Sequence, residues 1–271
     1  MKQHHSSQPI GIFDSGIGGL TVANAILDAL PNESIIYFGD TFHLPYGDKS
    51  GDAIRYYCLK IVKFLLEKNC KMIVIACNSA SSAAYQVLLD FFKNEALFVN
   101  VVDPLVQEVA RNGFQEVGVI ATKATISTNI YKRKLVDLQP NIIVDQLATP
   151  LLAPMIEEGF VANNISKAVL DNYLGHSELK NIEALLLACT HYPLIRSAID
   201  EFYQHNIKIF DSTIVVANEV KQLLQENHLL NNSNTQPSHH FYVSDYTDSF
   251  EQTTKVFFGK SVHLEYEPIW Q

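Results

Sequence analysis

The sequence has few cysteines, a single tryptophan and no long hydrophobic run. None of its four cysteines (Cys58, Cys70, Cys77 and Cys189) forms a CxxC pair, which argues against a thioredoxin-type redox site and against a zinc site on closely spaced ligands. Without a secretion signal, four cysteines in 271 residues indicate free thiols rather than a disulfide framework. No stretch reaches the roughly 18 apolar residues of a membrane-spanning helix. We therefore expect a protein that binds no metal and does not associate with a membrane.

Basic residues are also scarce, since 20 lysines and arginines face 29 aspartates and glutamates and give a net charge of −9. That balance argues against nonspecific binding to nucleic acid or to an anionic membrane surface, because both repel an acidic protein. The start of the chain is polar and His-rich and lacks the apolar core of a secretory signal. We expect a cytoplasmic protein whose residues 1–7 form a flexible N-terminus.

Continuously apolar segments alternate with helical patterns along the chain. In the first hundred residues, strands are predicted at 10–13, 34–38, 72–76 and 97–102, and helices at 20–30, 52–68 and 81–93. Further on, strands are predicted at 116–122, 141–145, 184–188 and 207–210, and helices at 126–138, 163–174 and 194–204. A last strand at 241–243 follows a polar surface loop at 231–240. Strands of this kind are typical of parallel sheets covered by helices on both faces, which predicts an α/β fold.

Three landmarks recur in the same order, with nearly equal spacing, in the two halves of this pattern. Residues 12–15 match 119–122, residues 74–78 match 186–190, and residues 101–104 match 209–212. We interpret the recurrence as an internal duplication at domain scale, far too long for a solenoid repeat. The sequence therefore predicts two similar domains with mainly parallel sheets flanked by helices.

Two cysteines stand at matching places in the two halves. Cys77 and Cys189 each end an apolar strand and are followed at once by polar residues. Ligands in parallel sheets bind beyond the carboxyl ends of the strands, so two facing half-sites would place one thiol on each wall of a cleft. A helix N-terminus after each strand would favour the thiolate. His191 can assist proton transfer at Cys189, and Glu157 can orient that imidazole.

A glycine-rich turn, Asp14-Ser15-Gly16-Ile17-Gly18-Gly19, follows the first predicted strand and opens a helix. Its small residues let backbone N–H groups approach a phosphate or a carboxylate. The turn also raises an alternative, a dinucleotide fold with Asp40 as the ribose ligand, but that fingerprint needs glycine at the position of Thr21. The Pro45-Tyr46-Gly47 turn after the second strand is a candidate wall of the same pocket.

Two opposed thiols without an evident cofactor fit one type of reaction. A single acid-base group can remove a proton from a carbon and return it to the same face. Inverting a stereocentre is easier with two groups, because one takes the proton while the other delivers a new one from the opposite side. The paired thiols therefore favour racemisation.

Several motifs in a fixed order make the chain similar to a known family. They are residues 11–22, Gly39-Asp40, Pro45-Tyr46-Gly47, residues 76–81, Thr122 with Thr125, residues 189–193 and residues 241–245. On these motifs, which span almost the whole chain, it resembles the glutamate racemases of the cofactor-independent aspartate/glutamate racemase superfamily. The resemblance implies interconversion of L- and D-glutamate without a cofactor, which supplies D-glutamate for bacterial peptidoglycan.

The resemblance also implies a fold of two α/β domains related by a pseudo-twofold axis, with the active site in the interdomain cleft. We expect the first domain to comprise residues 8–100 and 207–271, and the second to comprise residues 101–206. We further expect a homodimer that acts on a small-molecule substrate.

The resemblance assigns roles to individual residues. It implies that Cys77, assisted by Asp14, takes the α-proton from D-glutamate. It implies that Cys189 takes the proton from L-glutamate with the help of His191, which Glu157 positions. The residues implied in substrate binding are Asp14, Ser15, Pro45, Tyr46, Gly47, Asn78, Ser79, Thr122, Thr125, Thr190 and His191.

The chain departs from the family pattern in three places. Ser79 replaces the threonine of the usual Cys-Asn-Thr and keeps its hydroxyl, while Ala121 and Ala188 stand where glycine is common. Other functions stay open at this point. They are a racemase of the same superfamily acting on aspartate or another amino acid, a non-catalytic two-lobed amino-acid-binding protein, and a dinucleotide-dependent oxidoreductase.

Overall fold

A computed structural model describes residues 3–161, 163–233 and 236–271, in which ten strands alternate with eleven α-helices. The strands are β1 (Ile10–Asp14), β2 (Ile35–Gly39), β3 (Met72–Ile75), β4 (Leu97–Asn100), β5 (Glu116–Ala121), β6 (Ile143–Ala148), β7 (Ala184–Ala188), β8 (Lys208–Asp211), β9 (His239–Val243) and β10 (Glu265–Tyr266). The helices are α1 (Leu20–Ala29), α2 (Gly51–Glu67), α3 (Asn78–Phe92), α4 (Val102–Asn112), α5 (Lys123–Ser127), α6 (Ile130–Leu138), α7 (Leu152–Glu157), α8 (Asn164–Leu174), α9 (Arg196–Phe202), α10 (Thr213–Glu226) and α11 (Asp248–Phe258).

The strands form two sheets in which every described pairing is parallel. The first sheet has the order β10-β9-β2-β1-β3-β4, and the second has the order β6-β5-β7-β8. The sequence β2-β1-β3-β4 in the first sheet is the same as β6-β5-β7-β8 in the second when each unit is counted from its own first strand. This is the order that a duplication predicts. The predicted α/β fold with two parallel sheets flanked by helices is confirmed.

The two units share the largest buried core. Ile12 on β1, Leu187 on β7 and Val220 on α10 belong to one apolar cluster. Two smaller clusters cover the opposite faces of the sheets, one around Phe38 on β2 and the other around Val119 on β5. Both faces of each sheet are therefore buried, which explains why the strands read as continuously apolar.

One predicted domain boundary is wrong. Residues 207–271 were assigned to the first domain, but β8 pairs with β7 in the second sheet, with Leu187 opposite Asp211. The reason is packing, because Phe210 on β8 completes the apolar cluster that covers the second sheet. The chain returns to the first unit with α10, which packs against α1.

The ends of the chain and one loop were predicted to be less regular. Residues 1 and 2 lie outside the described part of the chain. His4 Nε2 lies 2.6 Å from the Glu95 carbonyl oxygen, and the Lys71 ammonium donates to the Ser6 carbonyl. Flexibility of the N-terminus stays a prediction. In the predicted polar loop, residues 234 and 235 lie outside the described residues, and β9 begins at His239. None of the described helices is long and apolar enough to cross a membrane.

Candidate active site

A cavity of about 220 Å³ lies between the two units at the carboxyl ends of their strands, the edge at which parallel α/β sheets bind ligands. Its volume is below the roughly 300–1,000 Å³ of pockets for drug-sized molecules, so it suits a small ligand. The cavity is lined by Ser15, Gly16, Leu44, Pro45, Tyr46, Gly47, Asp48, Cys77, Asn78, Ser79, Thr122, Lys123, Pro150, Ala153, Pro154, Glu157, Cys189, Thr190 and His191.

The structure brings the predicted site residues together from both units. All of them line the cavity except Asp14 and Thr125, which lie behind the lining. Asp14 accepts hydrogen bonds from the Gly16 N–H, and Thr125 lies 3.2 Å from the Thr122 hydroxyl. These two residues are thus placed to act on the lining residues.

Cys77 is the thiol of the first half-site, and it is buried. It follows β3 and caps α3, where its Sγ accepts a hydrogen bond from the Ala80 N–H at 3.5 Å. Burial raises the pKa of Cys77 well above its usual range, and the Asp14 carboxylate raises it further. Hydrogen bonds from Ala80 and Ser15 oppose the shift without cancelling it. The helix N-terminus thus favours the thiolate through the Ala80 N–H, but desolvation has the larger effect on the pKa of Cys77.

Asp14 is fully buried behind Cys77. Its Oδ2 accepts hydrogen bonds from the N–H groups of Gly16 at 3.2 Å and Gly19 at 3.0 Å, whereas its Oδ1 is buried with no partner. Burial raises the pKa of Asp14, although the positive charge of His191 and the backbone N–H groups lower it. The anion held by the glycine-rich turn is therefore the protein's own carboxylate. This leaves those N–H groups unable to serve a dinucleotide pyrophosphate.

The second half-site is a hydrogen-bonded row of three side chains. Cys189 follows β7, and its Sγ lies 3.6 Å from His191 Nδ1. His191 Nε2 lies 2.8 Å from Oε1 of Glu157, the last residue of α7. Burial lowers the pKa of His191, but hydrogen bonds to Cys189 and Glu157 outweigh it and raise the pKa to about 10. A charged imidazolium therefore lies beside the Cys189 sulfur.

The glycine-rich turn of the first unit packs directly on this row. A Cβ on Gly18 would lie 2.4 Å from His191 Cε1 and 2.7 Å from the Thr190 hydroxyl. The Thr21 hydroxyl lies 3.1 Å from the Thr190 carbonyl oxygen. The turn predicted as an anion seat therefore also forms the contact between the two half-sites.

A polar wall joins the two half-sites. The Ser79 hydroxyl lies 2.9 Å from the Thr122 hydroxyl and 3.4 Å from that of Thr125. Asn78 Oδ1 accepts a hydrogen bond from the Tyr131 hydroxyl at 2.5 Å, while Asn78 Nδ2 is buried without a partner. Unpaired buried polar atoms are rare, and this N–H group is available to an acceptor on a ligand.

The Pro45-Tyr46-Gly47 segment, predicted as a wall of the pocket, lines the rim of the cavity. The Tyr46 hydroxyl donates to Asp40 Oδ2 at 2.6 Å, so the phenol is engaged inside the first unit. A Cβ on Gly47 would lie 3.0 Å from the Thr122 side chain, which places the backbone of this segment against the second unit. Its backbone groups, rather than the phenol, are available to a ligand.

Several lining residues were missed by the sequence analysis. Lys123 follows Thr122 directly and forms an exposed ion pair with Asp48 at 3.2 Å across the mouth of the cavity. Its position directly after a strand end is a sequence feature from which Lys123 could have been predicted. No such pattern marked the others, because they lie on loops and on α7. They are Leu44, Pro150, Ala153 and Pro154, whereas Gly16 belongs to the glycine-rich turn that the sequence marks.

The next feature of the site is its content of possible metal ligands and of free thiols. Within residues 3–161, 163–233 and 236–271, no cluster of three or more histidine, cysteine or acidic side chains is arranged to hold a metal ion. All four cysteines are free and buried. The cavity thus presents one protonated thiol, one thiol paired with an imidazolium, and an unpaired amide N–H.

Comparisons with known proteins agree with this arrangement. The model of the family described as Asp/Glu/hydantoin racemase matches residues 22–220. A protein named glutamate racemase from Neisseria meningitidis serogroup C / serotype 2a is 37% identical over 262 residues, covering 97% of each chain. One of the same name from Syntrophus aciditrophicus is also 37% identical and covers 96% of each chain.

A solved structure extends the agreement to three dimensions. The glutamate racemase of Francisella tularensis in complex with D-glutamate is 38% identical and has a TM-score of 0.92, with 98% of this chain and 99% of that chain covered. The match therefore includes both sheets and the cleft between them. Since a family model matches most of its length and relatives above 30% identity cover nearly all of it, the chain belongs to the Asp/Glu/hydantoin racemase family.

Proposed function

We propose that this protein interconverts L- and D-glutamate by passing the α-proton between two thiols. The observation that carries the proposal is that Cys77 and Cys189, at equivalent strand ends of the two units, line one cavity. Each has its own proton partner, Asp14 for Cys77 and His191 for Cys189. A carbon bound between them meets a proton acceptor on one face and a proton donor on the other, as inversion requires. The glutamate racemases to which the chain is similar support glutamate as the substrate.

Each thiol has one role in the conversion of L- to D-glutamate and the opposite role in the reverse direction. Cys189 beside the His191 imidazolium is the base that takes the α-proton of L-glutamate, so that the C–H bond breaks and an S–H bond forms. Cys77, kept as a thiol by burial, delivers its own proton to the opposite face of the same carbon. In the reverse direction Cys77 takes the proton from D-glutamate, with Asp14 assisting. No step passes through a metal or another cofactor.

The cavity also has to stabilise the charge that develops on the α-carbon. An α-proton is far less acidic than a thiol, so donors must be placed for the substrate carboxylate and water must be excluded. The unpaired Asn78 Nδ2 and the Ser79 and Thr122 hydroxyls are such donors. Thr125 lies behind them and holds Thr122. The remaining groups proposed to bind carboxylates and ammonium are Asp14, Ser15, Pro45, Tyr46, Gly47, Thr190 and His191.

We also propose a setting for this reaction. The net charge of −9 and the small cavity suit a small-molecule substrate and no nucleic acid. The protein would act in the cytoplasm as a homodimer and supply D-glutamate for peptidoglycan.

The test is proton exchange in heavy water. When purified protein is incubated with L-glutamate in heavy water without added cofactor, the NMR signal of the glutamate α-proton and the optical activity of the solution should disappear together. Aspartate is run in parallel. Exchange of aspartate but not glutamate would move the assignment to a sibling racemase, and binding of glutamate with no exchange would leave an amino-acid-binding protein.

Substitution of the thiols tests the two-thiol mechanism itself. Cys77→Ser and Cys189→Ser should each abolish racemisation, because a hydroxyl neither gives nor takes the proton at the required pKa. Cys70→Ala is the matched control, since Cys70 is buried away from the cavity. Normal turnover in either serine variant would exclude the proposed mechanism.

A further inference from the structure

The amide of Asn78 is held in one orientation by a tyrosine from the other unit. Tyr131 lies on α6, and its hydroxyl donates to Asn78 Oδ1 at 2.5 Å. Both side chains are buried, with exposed fractions of 1% for Tyr131 and 3% for Asn78. Burial raises the pKa of Tyr131 far above its usual range, so its hydroxyl keeps the proton that it donates. Because Asn78 is the hydrogen-bond partner of the Tyr131 hydroxyl among the described residues, the reversed amide would leave the hydroxyl proton without that acceptor, and Oδ1 therefore faces Tyr131.

This orientation decides which amide atom a ligand meets. Asn78 lines the cavity, and its Nδ2 is buried without a partner. A buried N–H group without an acceptor costs free energy, which a bound carboxylate would recover. The opposite orientation would turn Oδ1 towards the carboxylate, and two acceptors would then repel each other. The hydrogen bond to Oδ1 therefore makes the Asn78 amide, which has both a donor and an acceptor, a donor towards the cavity.

We propose that Tyr131 is a positioning residue that keeps Asn78 Nδ2 directed at a carboxylate of the bound amino acid. Tyr131 does not line the cavity, so we expect it to act through Asn78. The hydrogen bond joins α6 of the second unit to α3 of the first, and so it forms only when the two units approach as they do in this structure. This inference rests on the proposed function for the identity of the ligand.

The test is a double-mutant cycle on Tyr131→Phe and Asn78→Ala. Phenylalanine keeps the ring and removes only the donor. KM for L- and D-glutamate should rise roughly tenfold in Tyr131→Phe, because the hydrogen bond from Asn78 Nδ2 to the charged carboxylate is no longer held in place. kcat should fall as well, because the same N–H group is among the donors proposed to stabilise the charge that develops in the transition state. In the Asn78→Ala background the same substitution should change KM less than about twofold.

Tyr203→Phe is the matched control, since the Tyr203 hydroxyl donates to the Leu179 carbonyl away from the cavity. It should leave both kinetic constants unchanged. Wild-type KM in Tyr131→Phe, an undiminished effect in the Asn78→Ala background, or a loss confined to kcat would each overturn the proposal. If Asn78→Ala turns over too slowly to measure, the same cycle is run on the Kd for D-glutamate by calorimetry.

The calorimetry also separates this inference from the proposed function. A wild-type protein that binds D-glutamate but does not racemise it would refute the function, while the cycle on Kd would still test Tyr131. A wild-type protein that racemises glutamate with no effect of Tyr131→Phe would refute the inference alone.

Discussion

Two opposing effects determine the charge of His191, namely burial and hydrogen bonding. Desolvation lowers the pKa of His191, and the bonds to Cys189 and Glu157 raise it to about 10. At neutral pH the ring is therefore an imidazolium, which can donate a hydrogen bond to the Cys189 sulfur. Loss of this proton above the pKa should end the reaction at alkaline pH.

Glu157→Gln tests this assignment. Removing the carboxylate removes an interaction that favours the charged ring, so the pKa of His191 falls. The alkaline limb of the kcat/KM profile should move to lower pH by about 1–3 units. Because L- and D-glutamate have equal free energies, kcat/KM is the same in both directions, and one profile is sufficient. The exposed Glu158→Gln is the control, and an unchanged alkaline limb in Glu157→Gln would contradict the assignment.

Gly18 has no space for a side chain beside the catalytic row. In Gly18→Ala the new Cβ would lie 2.4 Å from His191 Cε1, so the imidazole or the turn must shift and the contact between His191 and Cys189 is expected to be disturbed. A displacement of this size should reduce kcat/KM by about 10²-fold, measured as the rate of loss of optical activity. Gly16→Ala is the comparison, because its Cβ would lie 3.5 Å from Leu44, an ordinary contact. Equal losses in both variants would refute the steric explanation.

At the scale of elements, the segment between β2 and α2 is held by one buried carboxylate. Asp40 accepts hydrogen bonds from the Tyr46 hydroxyl, the Ser244 hydroxyl at 2.7 Å and Trp270 Nε1 at 2.8 Å. His43 Nδ1 lies 3.0 Å from its Oδ2. The carboxylate that the sequence marked as a possible ribose ligand is therefore saturated by protein donors. It links the rim of the cavity to the C-terminus.

Trp270→Phe should loosen this rim. The substitution keeps an aromatic ring and removes one donor to Asp40, so the free energy of unfolding should fall by about 1–2 kcal/mol in urea titrations. KM for glutamate should rise severalfold, because Tyr46 and Gly47 line the cavity. Gln271→Ala, at an exposed terminal position, should change neither quantity. An unchanged KM in Trp270→Phe would show that the rim does not depend on the C-terminus.

Sequence patterns predicted the central strands and failed where polar side chains redirect the chain. β3 and β7 were recognisable because they are apolar on both faces. The predicted strand at 97–102 ends earlier, at Asn100, whose Oδ1 accepts hydrogen bonds from the N–H groups of Val102 and Asp103 and starts α4. The predicted helix at 126–138 is divided at Asn129, which adopts a left-handed conformation with φ of 53°. Both changes depend on local geometry that hydrophobic periodicity does not encode.

The candidate site divides in the same way. Cys77, Cys189 and His191 were found because chemistry-bearing residues at strand ends are visible in a linear sequence. Tyr131 was not, because a buried aromatic on a helix looks like an ordinary core residue. Its contact with Asn78 exists only after the two units come together.

At the scale of the whole molecule, one buried ion pair ties distant segments to the first sheet. Lys71 Nζ lies 2.6 Å from Glu33 Oε2, and both side chains are buried. The ammonium also donates to the carbonyl oxygens of Ser6 and Leu229, and Glu33 Oε1 accepts from the Asn231 N–H at 2.8 Å. The N-terminus and the segment after α10 therefore meet at the amino ends of the strands, opposite the cavity.

Breaking this pair should destabilise the whole chain without changing the site. Lys71→Met leaves a buried carboxylate without its partner, which should lower the free energy of unfolding by about 3–5 kcal/mol in urea titrations. Adding Glu33→Gln to that variant should recover part of the loss, since the unpaired charge is removed. Lys63→Met, which breaks an exposed pair with Glu67, should cost less than about 1 kcal/mol. If the loss in the double variant equals the sum of the losses in the two single variants, Lys71 and Glu33 act independently. Neither residue lines the cavity, so kcat/KM of the folded variants should stay at the wild-type value.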